Sequence, residues 1–185
     1  MIEMKSILFI VGSLRKKSFN LELARMAEKE LEGKAQVSYL DYSKVPFVNQ
    51  DLEFPALPAV TALRQAVEHA DGVWLFTPEY NYSYPGHVKN LLDWLSRPVD
   101  PNHRSAPTVL AGKKFAIAGA GGKNKTATCR KLLTALLTGL GAQVMTQCQT
   151  GIGLNIEAWT ENRMILTDEQ KAQLRQQAEA FLQFI

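Results

Sequence analysis

The chain has 185 residues, a length that suits one well-buried domain and hardly two. With 46% apolar residues, 21% charged residues and a formal net charge of only +3, it has a globular composition and lacks the basic excess of a general nucleic-acid binder. The opening run in MIEMKSILFIV is too short for a secretory leader and no stretch reaches the length of a membrane span, so a cytoplasmic protein without a membrane span is expected.

Ser6 to Val11 is a continuous apolar run, as expected for a strand covered on both faces. Phe19, Leu23, Met26, Ala27 and Leu31 then recur at helical spacing, and the helix ends near Gly33. Gln36 to Leu40 alternates as a second strand, and residues 44–57, with Pro46 and Pro55, read as a loop. A helix over Ala59 to Ala70 stops at Asp71-Gly72, and Val73 to Thr77 is the third strand. Pro85 to Leu95 is a helix with its proline in the first turn. Residues 98–112 form a surface loop, and Lys114 to Ala118 is the fourth strand. A helix over Lys125 to Leu140 ends at Gly141, and Ala142 to Met145 begins a fifth strand. Thr167 to Gln170 opens a last helix that turns Leu174, Ala178, Phe181 and Leu182 inward. Cys129 and Cys148 fit no metal-ligand spacing and read as buried free thiols in a reducing compartment.

Five strands alternating with helices imply an α/β architecture with a mostly parallel sheet and right-handed crossovers. Ligands of such sheets bind outside the carboxyl ends of the strands, near the switch in strand order. Segments 12–20, 78–86 and 119–124 each follow a strand directly, so all three should meet at that edge.

In the first of them, GSLRKKSFN, Gly12 permits a tight exit from the strand. The next helix presents unpaired N–H groups and the positive end of its dipole. Ser13, Ser18 and Asn20 add donors, and Arg15 can grip a phosphate through two bonds. A dianionic terminal phosphate suits this set. The alternative is that Ser18 merely caps the helix and the cations are solvated. There is no GxxxxGK[ST] and no GxGxxG after the first strand, which argues against a Walker-type triphosphate site and a Rossmann dinucleotide clamp.

In the second segment, Glu79, Tyr80, Asn81 and Ser83 follow Pro78 and line the expected crevice. Lys89, Asn90 and Asp93 are expected to tie their helix to neighbouring loops. Leu91, Trp94 and Leu95 read as core, and His87 as an exposed helix residue. In the third segment, Gly119, Gly121 and Gly122 let backbone run close to a flat ligand.

GSLRKKSFN, together with PEYNYSYPGHVKNLLDWLSRP and PFVNQDLE, resembles the NADPH-dependent FMN reductase family, which includes bacterial quinone, chromate and azo-dye reductases. The resemblance covers almost the whole chain. It implies a single flavodoxin-like FMN-binding domain over 1–185, a three-layer α/β sandwich with a five-stranded parallel sheet. It implies that Ser13, Arg15, Ser18 and Asn20 hold the FMN phosphate. Pro78, Glu79, Tyr80 and Asn81, with Ser83 nearby, would line the ribityl chain and isoalloxazine, and Gly119 to Gly122 would meet the ring. Family members often carry serine or threonine in that last segment, where this chain has Ala118 and Ala120, so backbone contacts must serve there.

The implied activity is ping-pong transfer of hydride from NADPH or NADH through FMN to small-molecule acceptors. Quinones come first, with azo, nitro, ferric or chromate compounds as opportunistic acceptors. No catalytic side chain and no metal are implied. The resemblance also suggests a homodimer or homotetramer, for which Tyr82, Tyr84 and residues 102–104 offer contact surface. Two alternatives share the fold: a flavodoxin-type electron carrier, against which the basic GSLRKKS segment and the pI near 8.8 argue, and a non-redox regulator that binds another phosphorylated ligand.

Overall fold

Every residue of the central strand β3 (Gly72–Phe76) is buried, which is why its sequence shows no alternation. In the computed structural model, which describes residues 4–185, β3 pairs in parallel with β1 (Lys5–Val11) on one side and β4 (Lys114–Gly121) on the other. Part of the leader reading rests on Met1–Glu3, which lie outside the described residues. β2 (Ala35–Tyr39) forms one edge, and β5 (Gln143–Val144) and β6 (Gly151–Gly153) both pair with β4 at the other.

The order β2-β1-β3-β4-β5 is the flavodoxin-like one, and every named ladder is parallel. The sheet has six strand segments where five were expected, because the fifth position is split. β5 pairs with Lys114 and Phe115 at the start of β4, and β6 pairs with Gly119 to Gly121 at its end. Between them the chain leaves the ladder, with Cys148 at φ +60. The last helix, α6 (Asp168–Phe184), repairs the gap: the fully buried Gln177 donates to Ile117 O at 2.9 Å and accepts from Thr150 N at 2.8 Å. A side-chain amide thus pairs backbone groups that would otherwise lie orphaned in the interior.

Helices cover both faces. α1 (Phe19–Glu30) and α6 pack on Ile7, Phe9, Trp74 and Phe76. α2 (Pro58–His69), α3 (Gly86–Leu95) and α4 (Ala127–Gly139) pack on Leu8, Ile10, Leu75 and Ile117. A short helix, α5 (Ile156–Glu161), which has no counterpart in the strand-and-helix pattern of the sequence, lies against the start of α1. α6 opens on a full capping box, Thr167 with Gln170, as the sequence TDEQ implies.

Trp94 is buried, and its indole N–H donates to Pro46 O at 2.8 Å. Asn90 ties α3 to the loop after β2 through Val48 N and Pro46 O. Lys89 and Asp93 instead pair with each other along one helix face. His87 is half-buried rather than exposed, stacked on Tyr42 at 5.9 Å with Nε2 shut off from solvent. Cys129 is buried and Cys148 half-buried, and both are free. Among the described residues no cluster could hold a metal ion, and no helix is long and apolar enough to cross a membrane.

Candidate functional site

The exits of β1, β3 and β4 lie side by side. Gly12 N donates to Phe76 O at 2.7 Å, and a Cβ on Gly12 would sit 3.1–3.2 Å from Thr77 Oγ1, Phe76 O and a Val88 methyl. Any larger residue would press the neighbours apart by a few tenths of an ångström where the first crossover hugs the third strand. The result is an open-mouthed cleft of about 210 Å³.

At one end stand Ser13, Arg15, Ser18 and Asn20, beside the first turn of α1. Ser18 caps that helix, its Oγ accepting from Leu21 N at 3.3 Å, so the capping role and a place in the cleft coexist. Asn20 is buried and its amide spans both polar groups of Ala120, accepting from N at 2.9 Å and donating to O at 3.1 Å. It behaves as an extra strand residue on β4 and leaves one amide hydrogen for a ligand. Arg15 lies over the Phe19 ring at 5.0 Å, and its Nη2 donates to Lys17 O and to Asn162 Oδ1.

The other end is walled by Pro78, Glu79, Tyr80, Ala120, Gly121 and Gly122. Glu79 lines the cleft, but its carboxylate turns to α4, accepting from Cys129 N and Asn124 Nδ2, both at 2.9 Å. The N-cap of α4, Thr126, sits at φ +56 and makes no side-chain cap, so Glu79 caps this helix from another loop. The Cys129 thiol stays protonated: burial pushes it up to about 11, against a hydrogen bond shared with Thr77, and Glu79 adds to the rise. Burial also lowers the His87 imidazole from its usual value, against a backbone hydrogen bond with Gly12.

Asn81, Ser83 and Gly119 do not line the cleft. Asn81 and Tyr82 are the left-handed central residues of a tight turn, closed by Tyr80 N–Ser83 O and Ser83 N–Tyr80 O bonds of 2.9 Å. Asparagine suits that backbone. Gly119 lies in β4 instead of a loop, because β4 runs to Gly121. A Cβ there would stand 2.3 Å from Thr126 Oγ1 and 2.4 Å from Thr77 O. Gly119 therefore makes room for Thr126, whereas a Cβ on Gly122 would meet no protein atom within 4 Å. The residues the sequence reading passed over are Phe19, read as core, and Leu154 and Trp159, in a stretch given no element, whereas Ala120 lies within the span expected to offer backbone contacts. Asn155, which caps α5 through Ala158 N at 2.7 Å, is the signal that marks that helix.

The donor set fits FMN: cationic and hydroxyl donors with a helix start at one end, and flat backbone walls with an aromatic side chain at the other. Residues 5–155 match the family described as NADPH-dependent FMN reductase. A quinone reductase of Escherichia coli K12 is 36% identical over 150 residues, covering 78% of this chain and 76% of that protein. An NAD(P)H-dependent FMN reductase of Pseudomonas aeruginosa is 32% identical over 178 residues, covering 94% and 91%. Among solved structures, the flavoenzyme NAD(P)H:(acceptor) oxidoreductase of Paracoccus denitrificans superposes with a TM-score of 0.83 at 33% identity, covering 97% of this chain and 96% of that one.

Proposed function

The chain belongs to the NADPH-dependent FMN reductase family, and we propose that it works as one FMN-binding domain, an NAD(P)H-dependent oxidoreductase that reduces quinones. The observation that carries this reading is the meeting of a donor-rich crossover and two backbone walls in one cleft at the switch point of the sheet. FMN, when bound, supplies the redox chemistry, accepting hydride from NADPH or NADH and passing electrons to the acceptor.

The chain's own residues bind and orient. Ser13, Arg15, Ser18, the free amide hydrogen of Asn20 and the α1 start hold the phosphate. Pro78, Tyr80, Gly121 and Gly122, which line the rest of the cleft, would flank the ribityl chain and ring. Asn81 and Ser83 shape the turn that presents Tyr80, Gly119 seats Thr126 behind the wall, and Glu79 fixes α4 behind it. No side chain is required as acid or base. Azo, nitro, ferric and chromate compounds are proposed as further acceptors, a homodimer or homotetramer as the assembly and the cytoplasm as the compartment.

The test is purification, an absorption spectrum for FMN content, and steady-state oxidation of NADPH and NADH with a benzoquinone. A yellow protein with quinone-dependent turnover and parallel double-reciprocal lines is expected. A protein that takes up no FMN, or one that holds FMN without oxidising either nicotinamide, overturns the reading; the second result points to an electron carrier.

A further inference from the structure

Helix α5 begins at Ile156, one residue past the span matched by the family, yet it closes one side of the cleft. Three contacts fix it and the residues just after it to the β1–α1 crossover and the first turn of α1. Trp159 packs edge-on against Phe19 with ring centres 5.2 Å apart. Met164 N, just beyond the helix, donates to Glu22 Oε2 at 2.5 Å. Asn162, the C-cap of α5, accepts from Arg15 Nη2 at 2.7 Å through its Oδ1. The same Nη2 donates to Lys17 O, and the guanidinium rests on the Phe19 ring, so Arg15 is held on three sides. Its Nη1 and Nε carry no bond among the described residues and remain for a ligand. A long cationic side chain on the surface normally samples many rotamers, and holding it in place removes an ordering cost from ligand binding.

We propose that Asn162 is a positioning residue for the cofactor phosphate: it holds Arg15 over the cleft and thereby sets the preference of this chain for FMN over unphosphorylated riboflavin. This rests on the FMN reading above. Asn162 sits at φ +50, where asparagine and glycine are both at ease, so its backbone role separates from its side-chain role. Asn162→Gly keeps the left-handed cap and removes the acceptor. Asn162→Asp keeps both but sets a carboxylate against Arg15, where it competes with the phosphate.

Flavin-stripped full-length protein is titrated with FMN and with riboflavin, following the quenching of flavin fluorescence. Asn162→Gly is expected to weaken FMN about tenfold and to leave riboflavin unchanged, since one charge-assisted contact is loosened. Asn162→Asp is expected to weaken FMN at least as far, again sparing riboflavin. Wild-type preference for FMN that persists in both variants overturns the proposal, as does an equal loss for both flavins, which marks a merely structural role. Should the glycine variant fail to fold, Asn162→Ser, whose shorter side chain gives up the contact with Arg15, decides by the same ratio. Wild-type protein that binds neither flavin removes the FMN reading itself, a result distinct from the others.

Discussion

Glu79 stands in the wall of the cleft, but its carboxylate serves a helix. It caps α4 across the loop by bonding Cys129 N, because Thr126 at φ +56 makes no side-chain cap of its own. Glu79→Ala should destabilise the protein by about 1 kcal/mol, the usual cost of losing a cap, measurable by urea unfolding. Next to it, Cys129 supplies a pH-dependent term. The unfolded thiol titrates near 9.0 and the folded one at about 11, so below 9 both states keep the proton and the residue adds no pH dependence. Between those values the unfolded chain releases a proton that the folded chain retains, and stability falls as pH rises. Cys129→Ser should lack this component, its stability declining less than that of the wild type by up to about 2 kcal/mol between pH 8.5 and 10.5. Alkylation of the native protein at pH 8 should mark the half-buried Cys148 and spare Cys129.

At the scale of elements, the split fifth strand and the end of β4 show how side chains outside the sheet complete it. Gln177 bonds Ile117 O and Thr150 N where β5 has left the ladder and β6 has not begun. Gln177→Leu keeps the volume of the side chain but strands two buried backbone groups, and should cost about 2–5 kcal/mol in denaturant unfolding. The glycines of β4 and the turn after it divide in the same way. Gly119→Ala drives a methyl to within 2.3 Å of Thr126 Oγ1 and 2.4 Å of Thr77 O, so the strand or the α4 start must shift. A loss of about 1–3 kcal/mol is expected, as for other overpacked sites. Gly122→Ala meets no protein atom within 4 Å, and should leave stability within about 0.5 kcal/mol of wild type. It should nevertheless weaken FMN in a binding titration, because the new methyl projects beside the cleft.

For the whole molecule, ligand and fold are linked by mass action. FMN at about 100 times its dissociation constant should stabilise the folded state by about 2.7 kcal/mol. For a chain of this size that is a rise of about 5–10 °C in the melting temperature, read by differential scanning calorimetry on flavin-stripped protein. Riboflavin at the same concentration should give a smaller rise, since it lacks the phosphate proposed to sit at the β1–α1 crossover. What the sequence alone determined is the alternation of buried strands and amphipathic helices, the order in which they come, and the concentration of cationic and hydroxyl donors in residues 12–20. These are local: apolar runs, helical spacing and capping residues act over neighbours in the chain, and a parallel sheet follows from them with little freedom. Only the tertiary structure decided which partner each polar side chain takes. Asn20 reaches Ala120 a hundred positions away, Glu79 reaches α4, Gln177 fills a gap in a strand, and Asn162 meets Arg15. The physical reason is that a buried hydrogen-bonding group must find a partner wherever packing brings one, and packing joins segments whose separation along the chain carries no signal of their contact.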